Sequence, residues 1–235
     1  MTTISPPAVD CGEPRPPADL QPDDLDLEAY RRPTAFIDSD HPAVRAFAGQ
    51  AAADATDDAG RASLLFRAVR DGLRYDPYSV STDPGRYKAS AVVSMDAAYC
   101  VPKAVLLAAA ARALEIPARV AFADVRNHLQ SERLRQTMGT DLFICHGFTE
   151  LHLGGRWLKA TPTFNVELCQ RFGVPPLEFD GTSDALLHAF DAGGQRHMEY
   201  VRSRGAFADL PLPWLLAMLR HHYGAGIFTG DGAAR

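Results

Sequence analysis

One of the chain's four cysteines is placed for chemistry. Cys100 stands at the head of the run C-V-P-K-A-V-L-L-A-A-A-A-R-A-L. Pro102 fits the first turn of a helix, where its missing N–H would have no intrahelical partner anyway. The helix is expected to continue to about Leu114 and to stop before Pro117. Cys100 then lies at or beside a helix N-terminus. Free N–H groups and the helix dipole favour an anion there, which stabilises a thiolate and lowers a thiol pKa. That is a physical route to an activated sulfur nucleophile. The same position also suits a buried small apolar residue. Position alone leaves both readings open.

A sulfur nucleophile needs a base within hydrogen-bond reach and a group that orients the base. His146 is the candidate base. It lies near the start of the clearest strand, Leu142 to Leu153. Alternation puts Phe143, Cys145, Gly147 and Thr149 on one face, and Ile144, His146, Phe148, Glu150 and His152 on the other. On that reading Cys145 points away from His146, and the two do not form a metal pair. A lone strand histidine is also compatible with a purely structural role. Glu150 reads as a structural acceptor for a buried arginine or a backbone group, and Cys169 as a packing residue.

The elements that would position these residues follow from local patterns. Residues 1–32 are rich in Pro and Asp and read as an acidic arm, disordered or loosely docked, that contains Cys11. A single domain is expected from residue 33 to 228. Helices are expected at about 41–53, capped by Asp40 with Pro42 in the first turn, and at 58–74, where Leu64, Leu65, Ala68, Val69 and Leu73 follow helical spacing. A short helix capped by Ser90 leads to the Cys100 helix. A short strand follows over Ala118–Asp124. An insertion over 125–140 holds a small helix ending at Gly139. The hairpin at Gly154-Gly155 returns the chain through Arg156–Thr161, which Pro162 stops. A short helix over 182–190, an outer strand in R-H-M-E-Y-V, a final helix over Leu212–Tyr223 and a frayed tail complete the reading.

Composition narrows the function classes. The 235 residues carry a net charge of -5 and no basic block, so no nucleic-acid footprint is visible. No apolar run reaches the length of a membrane span. The first residues lack a signal-peptide pattern, and the cysteines have neither metal-type spacing nor a disulfide framework. A cytoplasmic protein with free thiols is the expectation.

C-V-P-K-A-V-L-L-A-A-A-A-R-A-L-E-I-P-A-R-V resembles the nucleophile helix of the transglutaminase-like superfamily and the strand that follows it. H-G-F-T-E-L-H-L-G-G-R-W-L-K-A-T-P-T resembles that superfamily's histidine strand, hairpin and returning strand. The resemblance spans roughly Ser63 to Thr163. It implies an α+β, papain-like core, a nucleophile helix packed on a small antiparallel sheet, with extra N- and C-terminal helices. It implies Cys100 as nucleophile and His146 as base, without a cofactor or metal; calcium sites of the large animal transglutaminases have no visible counterpart. The superfamily usually carries Asp in a W-x-x-x-D-P-T context. Here that position is Thr161, whose hydroxyl cannot stabilise an imidazolium as a carboxylate does.

Asp124 is the alternative acid for the third role. It ends the strand leaving the nucleophile helix, and antiparallel pairing would bring it beside the start of the His146 strand. It could instead cap the next turn or pair with Arg126 or Arg119. Asn165 is a weaker, Asn-type candidate. The Cys100 N–H supplies one oxyanion donor, with Tyr99 a candidate for the cleft wall or a further donor. The expected activity is cysteine-dependent acyl chemistry through a Cys-His acyl-enzyme. The donor is an amide, hydrolysed or transamidated, or an acyl thioester. Similar bacterial single-domain proteins act on carrier-protein thioesters, forming amides or closing rings by Dieckmann-type condensation. A non-catalytic relative that binds peptides in the cleft is the remaining alternative.

Overall fold

A computed structural model of the chain describes residues 12–128, 130–188, 193–194 and 197–231. The chain begins its regular structure with α1 (Pro42–Ala51) and α2 (Asp58–Gly72). Asp57 caps α2 by accepting the Gly60 N–H at 2.7 Å. α1 is capped not by Asp40 but by His41, whose Nδ1 accepts the Ala43 N–H at 3.2 Å. A two-residue strand β1 (Arg74–Tyr75), a short helix α3 (Ala89–Val92) and a two-residue strand β2 (Ala97–Ala98) follow. β1 and β2 pair in parallel and lead directly into α4 (Cys100–Ala113).

α4 is the central element. Thirteen of its residues, Cys100 to Arg112, are buried. An all-round apolar helix must be enclosed, and its Ala-rich surface lets neighbours approach closely. α1, α2 and α3 surround it on one side and the sheet lies on the other. Its two buried cations use backbone carbonyls. Lys103 Nζ donates to the Arg70 and Leu73 carbonyls at 2.8 and 2.6 Å, at the C-terminal end of α2. Arg112 donates to the carbonyls of Arg32, Ala118 and Ala208 at 2.6 to 2.9 Å.

The sheet is antiparallel, ordered β5-β4-β3-β6, from β3 (Ala118–Asn127), β4 (Leu142–Leu153), β5 (Arg156–Ala160) and β6 (Met198–Phe207). α5 (Glu132–Met138) lies in the β3–β4 connection and ends at Gly139 in the left-handed region, as the sequence predicts. α6 (Val166–Phe172) follows β5, and α7 (Leu212–Tyr223) packs near β4. One sheet face meets α4: Thr149 Oγ1 donates to the Ala104 carbonyl at 2.9 Å. The other buries Ala121, Ala123, Val125, Phe148, Leu187 and Met198.

Several expectations need correction. β3 continues to Asn127, because β6 pairs along its other edge and extends it. β6 is ten residues long and begins two residues later than its sequence pattern suggests. Residues 182–188 are not helical: Ala185 bridges Ala160, and Asp180 accepts N–H bonds from Thr182 and Ser183. Residues 189–190 lie outside the described residues. Of the tail, residues 229–231 are docked through Asp231, which accepts hydrogen bonds from Ser81 and Thr82, and residues 232–235 lie outside the described residues.

Cys11 lies outside the described residues, but residues 12–32 rest on the sheet and α7. Tyr30 is buried, and its hydroxyl donates to the Pro22 carbonyl at 2.8 Å. Asp24 pairs with Arg119, whose Nε also donates to Glu150 at 2.7 Å. Trp214 Nε1 donates to the Pro14 carbonyl at 3.1 Å. These contacts use carboxylates and backbone carbonyls, which a count of apolar residues does not register. No helix among the described residues is long and apolar enough to cross a membrane.

Candidate active site

Tyr99 is the N-cap residue of α4, in extended conformation, and Cys100 is the first helical residue. Cys100 is therefore where the free N–H groups of the helix start converge. Its Sγ accepts the Gly147 N–H at 3.4 Å, and its own N–H and that of Val101 also favour negative charge on the sulfur. Burial acts the other way and dominates, pushing the thiol up to about 11. The helix start thus lowers the thiol pKa as expected, but enclosure outweighs it.

The contact between α4 and β4 is close enough to require glycine. A Cβ on Gly147 would sit 2.9 Å from Val101 Cγ2 and 3.1 Å from Val101 Cα. Backbone cannot move aside as a side chain can. Gly147→Ala is expected to cost about 1–3 kcal/mol by overpacking. It should also move Cys100, which shares that backbone with Val101. Urea unfolding and the rate of Cys100 alkylation would check both effects.

His146 lies in the same cavity as Cys100. This cavity has a volume of about 50 Å³ and is lined also by Tyr75, Tyr99, Ile144, Cys145 and Tyr223. His146 is 6% exposed, and its Nε2 is buried without a hydrogen-bond partner. Burial lowers its pKa to about 4. The folded protein therefore favours neutral imidazole, while the unfolded chain takes up a proton below about pH 6.5. As pH falls from about 6.5 to about 4, this one group removes up to about 3 kcal/mol of stability. The urea midpoint of His146→Gln should accordingly fall less between pH 7 and 4.5 than that of the unsubstituted protein. Equal falls would mean that His146 is not held neutral.

Strict alternation fails at Cys145. This residue has φ of 55°, in the left-handed region, and the β3–β4 register shifts between Ala123 and Val125. A bulge turns the local strand, which is a common device for re-aiming a side chain beside a site. Cys145 and His146 consequently line one cavity, instead of facing opposite ways. Burial pushes the Cys145 thiol well up.

Asp124 sits opposite that bulge and is 3% exposed. Its Oδ1 accepts the Cys145 N–H at 3.1 Å. Arg204 of β6 clamps the carboxylate, with Nε to Oδ2 at 2.8 Å and Nη2 to Oδ2 at 2.6 Å. No hydrogen bond joins Asp124 to His146 among the described residues. Asp124 reaches the histidine through the backbone of the bulge, and its ion pair is with Arg204, not with Arg119 or Arg126. Arg204 is also held by Glu13 from the arm, with Nη2 to Oε1 at 2.9 Å. Glu13 accepts from Arg202 as well and lies 3.1 Å from His222 Nε2. The Arg204 hydrogen bond is the leading influence that lowers the Glu13 carboxyl to about 2. Tyr223 braces the same stretch, its hydroxyl donating to the Leu142 carbonyl at 2.8 Å and accepting the Ile144 N–H.

The other candidates are placed as follows. Thr161 is buried, its Oγ1 lacks a well-formed hydrogen bond, and the Tyr200 hydroxyl is its polar neighbour. Asn165 accepts the Tyr75 N–H at 3.1 Å and donates to Glu167 at 2.6 Å, so both ends of its amide are engaged. Tyr99 lines the cavity, but its hydroxyl donates to the Tyr87 hydroxyl at 3.0 Å. It forms wall, and its hydroxyl is committed elsewhere. Sequence reasoning missed Arg204 and Glu13. The only signal was the period-two R-S-R of β6, which marks two arginines on one face without naming their partners.

Residues 45–162 match the transglutaminase-like superfamily, a span that includes α4, β3, β4 and β5. No curated protein matches the chain. A solved structure from Cytophaga hutchinsonii, named a "putative cysteine protease", is similar at 20% identity with a TM-score of 0.46. The similarity covers 64% of this chain and 46% of that one, so the chain spans about half of its length.

Proposed function

Because this chain belongs to the transglutaminase-like superfamily, we propose that Cys100 and His146 carry cysteine-dependent acyl transfer through a covalent acyl-enzyme. The observation that supports this most is the shared cavity. A buried thiol at a helix N-terminus and a buried histidine with an unpartnered Nε2 line one small space.

The steps follow from the groups present. A donor carbonyl enters the cavity. The Cys100 sulfur attacks it, a C–S bond forms, and the thiol proton passes to His146 Nε2. With both groups neutral at rest, His146 acts as general base during attack instead of holding a preformed ion pair. The Cys100 N–H at the start of α4, with the neighbouring Val101 and Gly147 N–H groups, opposes the charge that develops on the tetrahedral intermediate. The C–N bond of an amide or the C–S bond of a thioester then breaks, and His146 returns the proton to the leaving amine or thiol. Water or an amine attacks the acyl-enzyme as His146 takes its proton, the C–S bond breaks, and His146 returns that proton to the Cys100 sulfur.

The third role is divided. Asp124 is a positioning residue: it fixes the Cys145 bulge, and the bulge sets His146. Thr161 occupies the family position of the acid, and its buried hydroxyl neighbours that of Tyr200.

Product analysis tests the reading. Glutamine peptides and acyl thioesters are incubated with and without an amine acceptor. Turnover that disappears in Cys100→Ala supports it. Amide products with the amine would mark transfer, and acid alone would mark hydrolysis. Peptide binding with no product from any donor would favour a binding protein instead.

A further inference from the structure

The cavity at Cys100 can admit a carbonyl group but is too small for what the carbonyl is attached to. A groove of about 520 Å³ adjoins it and shares Tyr75, Pro77 and Phe143 with it. Its walls are mainly apolar and aromatic. Phe164 meets Tyr75 edge-on at 5.0 Å and stacks on His197 at 6.2 Å. Phe172 also lines the groove and is 52% exposed, unusual for a large apolar side chain. An aromatic path therefore leads outward from the site, ending in apolar surface that a ligand would cover.

A buried polar atom of the groove is unmatched. Gln130 uses its Nε2 to donate to the Thr140 carbonyl at 2.9 Å, but its Oε1 is buried without a partner. Such an acceptor calls for a donor. A plain fatty chain has none. A free ammonium would bring positive charge into a groove that Arg171 also lines. A neutral amide N–H on an apolar group meets both conditions.

Resting on the acyl-enzyme reading of Cys100, we propose that this groove receives the acyl portion of the donor, and that this portion is an N-acylated amino acid residue with a large apolar side chain beside the reacting carbonyl. The side chain packs among Phe143, Phe164 and Phe172, and the amide N–H donates to Gln130 Oε1. The substrate class is a peptidyl-type acyl donor with an aromatic or large aliphatic terminal residue.

Four N-acetylcysteamine thioesters test this by release of the thiol in single turnover: N-acetylphenylalanyl, N-acetylglycyl, phenylalanyl with a free amine, and octanoyl. N-acetylphenylalanyl should acylate the protein at least about tenfold faster than each of the others. Phe164→Ala should collapse the ratio of N-acetylphenylalanyl to N-acetylglycyl. Gln130→Leu should slow N-acetylphenylalanyl and leave octanoyl unchanged. Thermal melts of both variants check that they fold. Equal rates for the four donors, or octanoyl fastest, would overturn the groove assignment and leave the acyl-enzyme standing. No thiol release from the four donors while a glutamine peptide is turned over would overturn the groove assignment, and no product from thioesters or glutamine peptides would overturn the acyl-enzyme reading itself.

Discussion

Cys100→Ala should lower turnover by on the order of 10⁴-fold or more while leaving the fold close to intact. The two effects separate because they have different causes. In the proposed mechanism the rate loss is that of the sulfur that forms the covalent bond. The stability change comes from exchanging one small buried side chain for another. Gly147 N–H loses its sulfur acceptor, a cost of about 1 kcal/mol. Because burial holds the thiol up, removing it also removes a group that destabilises the folded state at high pH. An acid whose folded pKa is raised costs stability as pH rises through its unfolded value toward the folded one. The alanine variant should therefore lose less stability than the unsubstituted protein between about pH 8.5 and 11. Circular dichroism with urea titration, beside product analysis, would show both parts.

Arg204→Leu should produce the largest combined loss of stability and activity outside the thiol and the histidine. It leaves the Asp124 and Glu13 carboxylates buried without their shared cation. Breaking a buried pair from one side costs about 3–5 kcal/mol. The loss should depend on pH in a set direction. Glu13 has a folded pKa held down to about 2, so its ionised form stabilises the protein above about pH 4.5, and that contribution fades as pH falls toward 2. Without Arg204 the contribution shrinks to what Arg202 and His222 supply, so the gap between the two proteins should narrow at acid pH. Activity should fall because the Cys145 bulge loses its brace and His146 shifts. A displacement of about 1 Å at such a site can cost on the order of 10²-fold. Asp124→Asn keeps an oxygen for the Cys145 N–H and loses the charge, so it should fall between Arg204→Leu and Thr161→Val in its effect on kcat. KM should change little across the series. If Thr161→Val lowers kcat more than Asp124→Asn, the positioning role returns to Thr161.

Much of this arrangement is readable from residues alone, and the boundary of what is readable has physical causes. The N-terminus of α4 follows from Pro102, and its burial from an all-round apolar composition. The hairpin of β4 and β5 follows from Gly154-Gly155 and the alternation up to Leu153. These are local signals. The Cys145 bulge is not local: it arises from how β4 meets β3, and no glycine marks its left-handed residue. Alternation across it misassigns the face of Cys145. Arg204 and Glu13 lie 80 and 111 residues from Asp124, and only the sheet and the docked arm bring them together. The sequence pattern of β6 stops at Val201 because the residues after it, Arg202 to Arg204, are polar, as befits an edge strand. Pairing the nucleophile with the histidine rested on family resemblance, since neither residue's neighbours announce the other.

The most direct test of the account is intact-protein mass spectrometry after brief incubation with acyl thioesters and glutamine peptides, comparing the unsubstituted protein, Cys100→Ala and His146→Gln. The account predicts a mass increase of one acyl group on the unsubstituted protein, mapped to the peptide containing Cys100. It should be absent from Cys100→Ala and slow to form and to decay in His146→Gln. An acyl group that persists in Cys100→Ala, or that maps to Cys145 or Cys169, would contradict it.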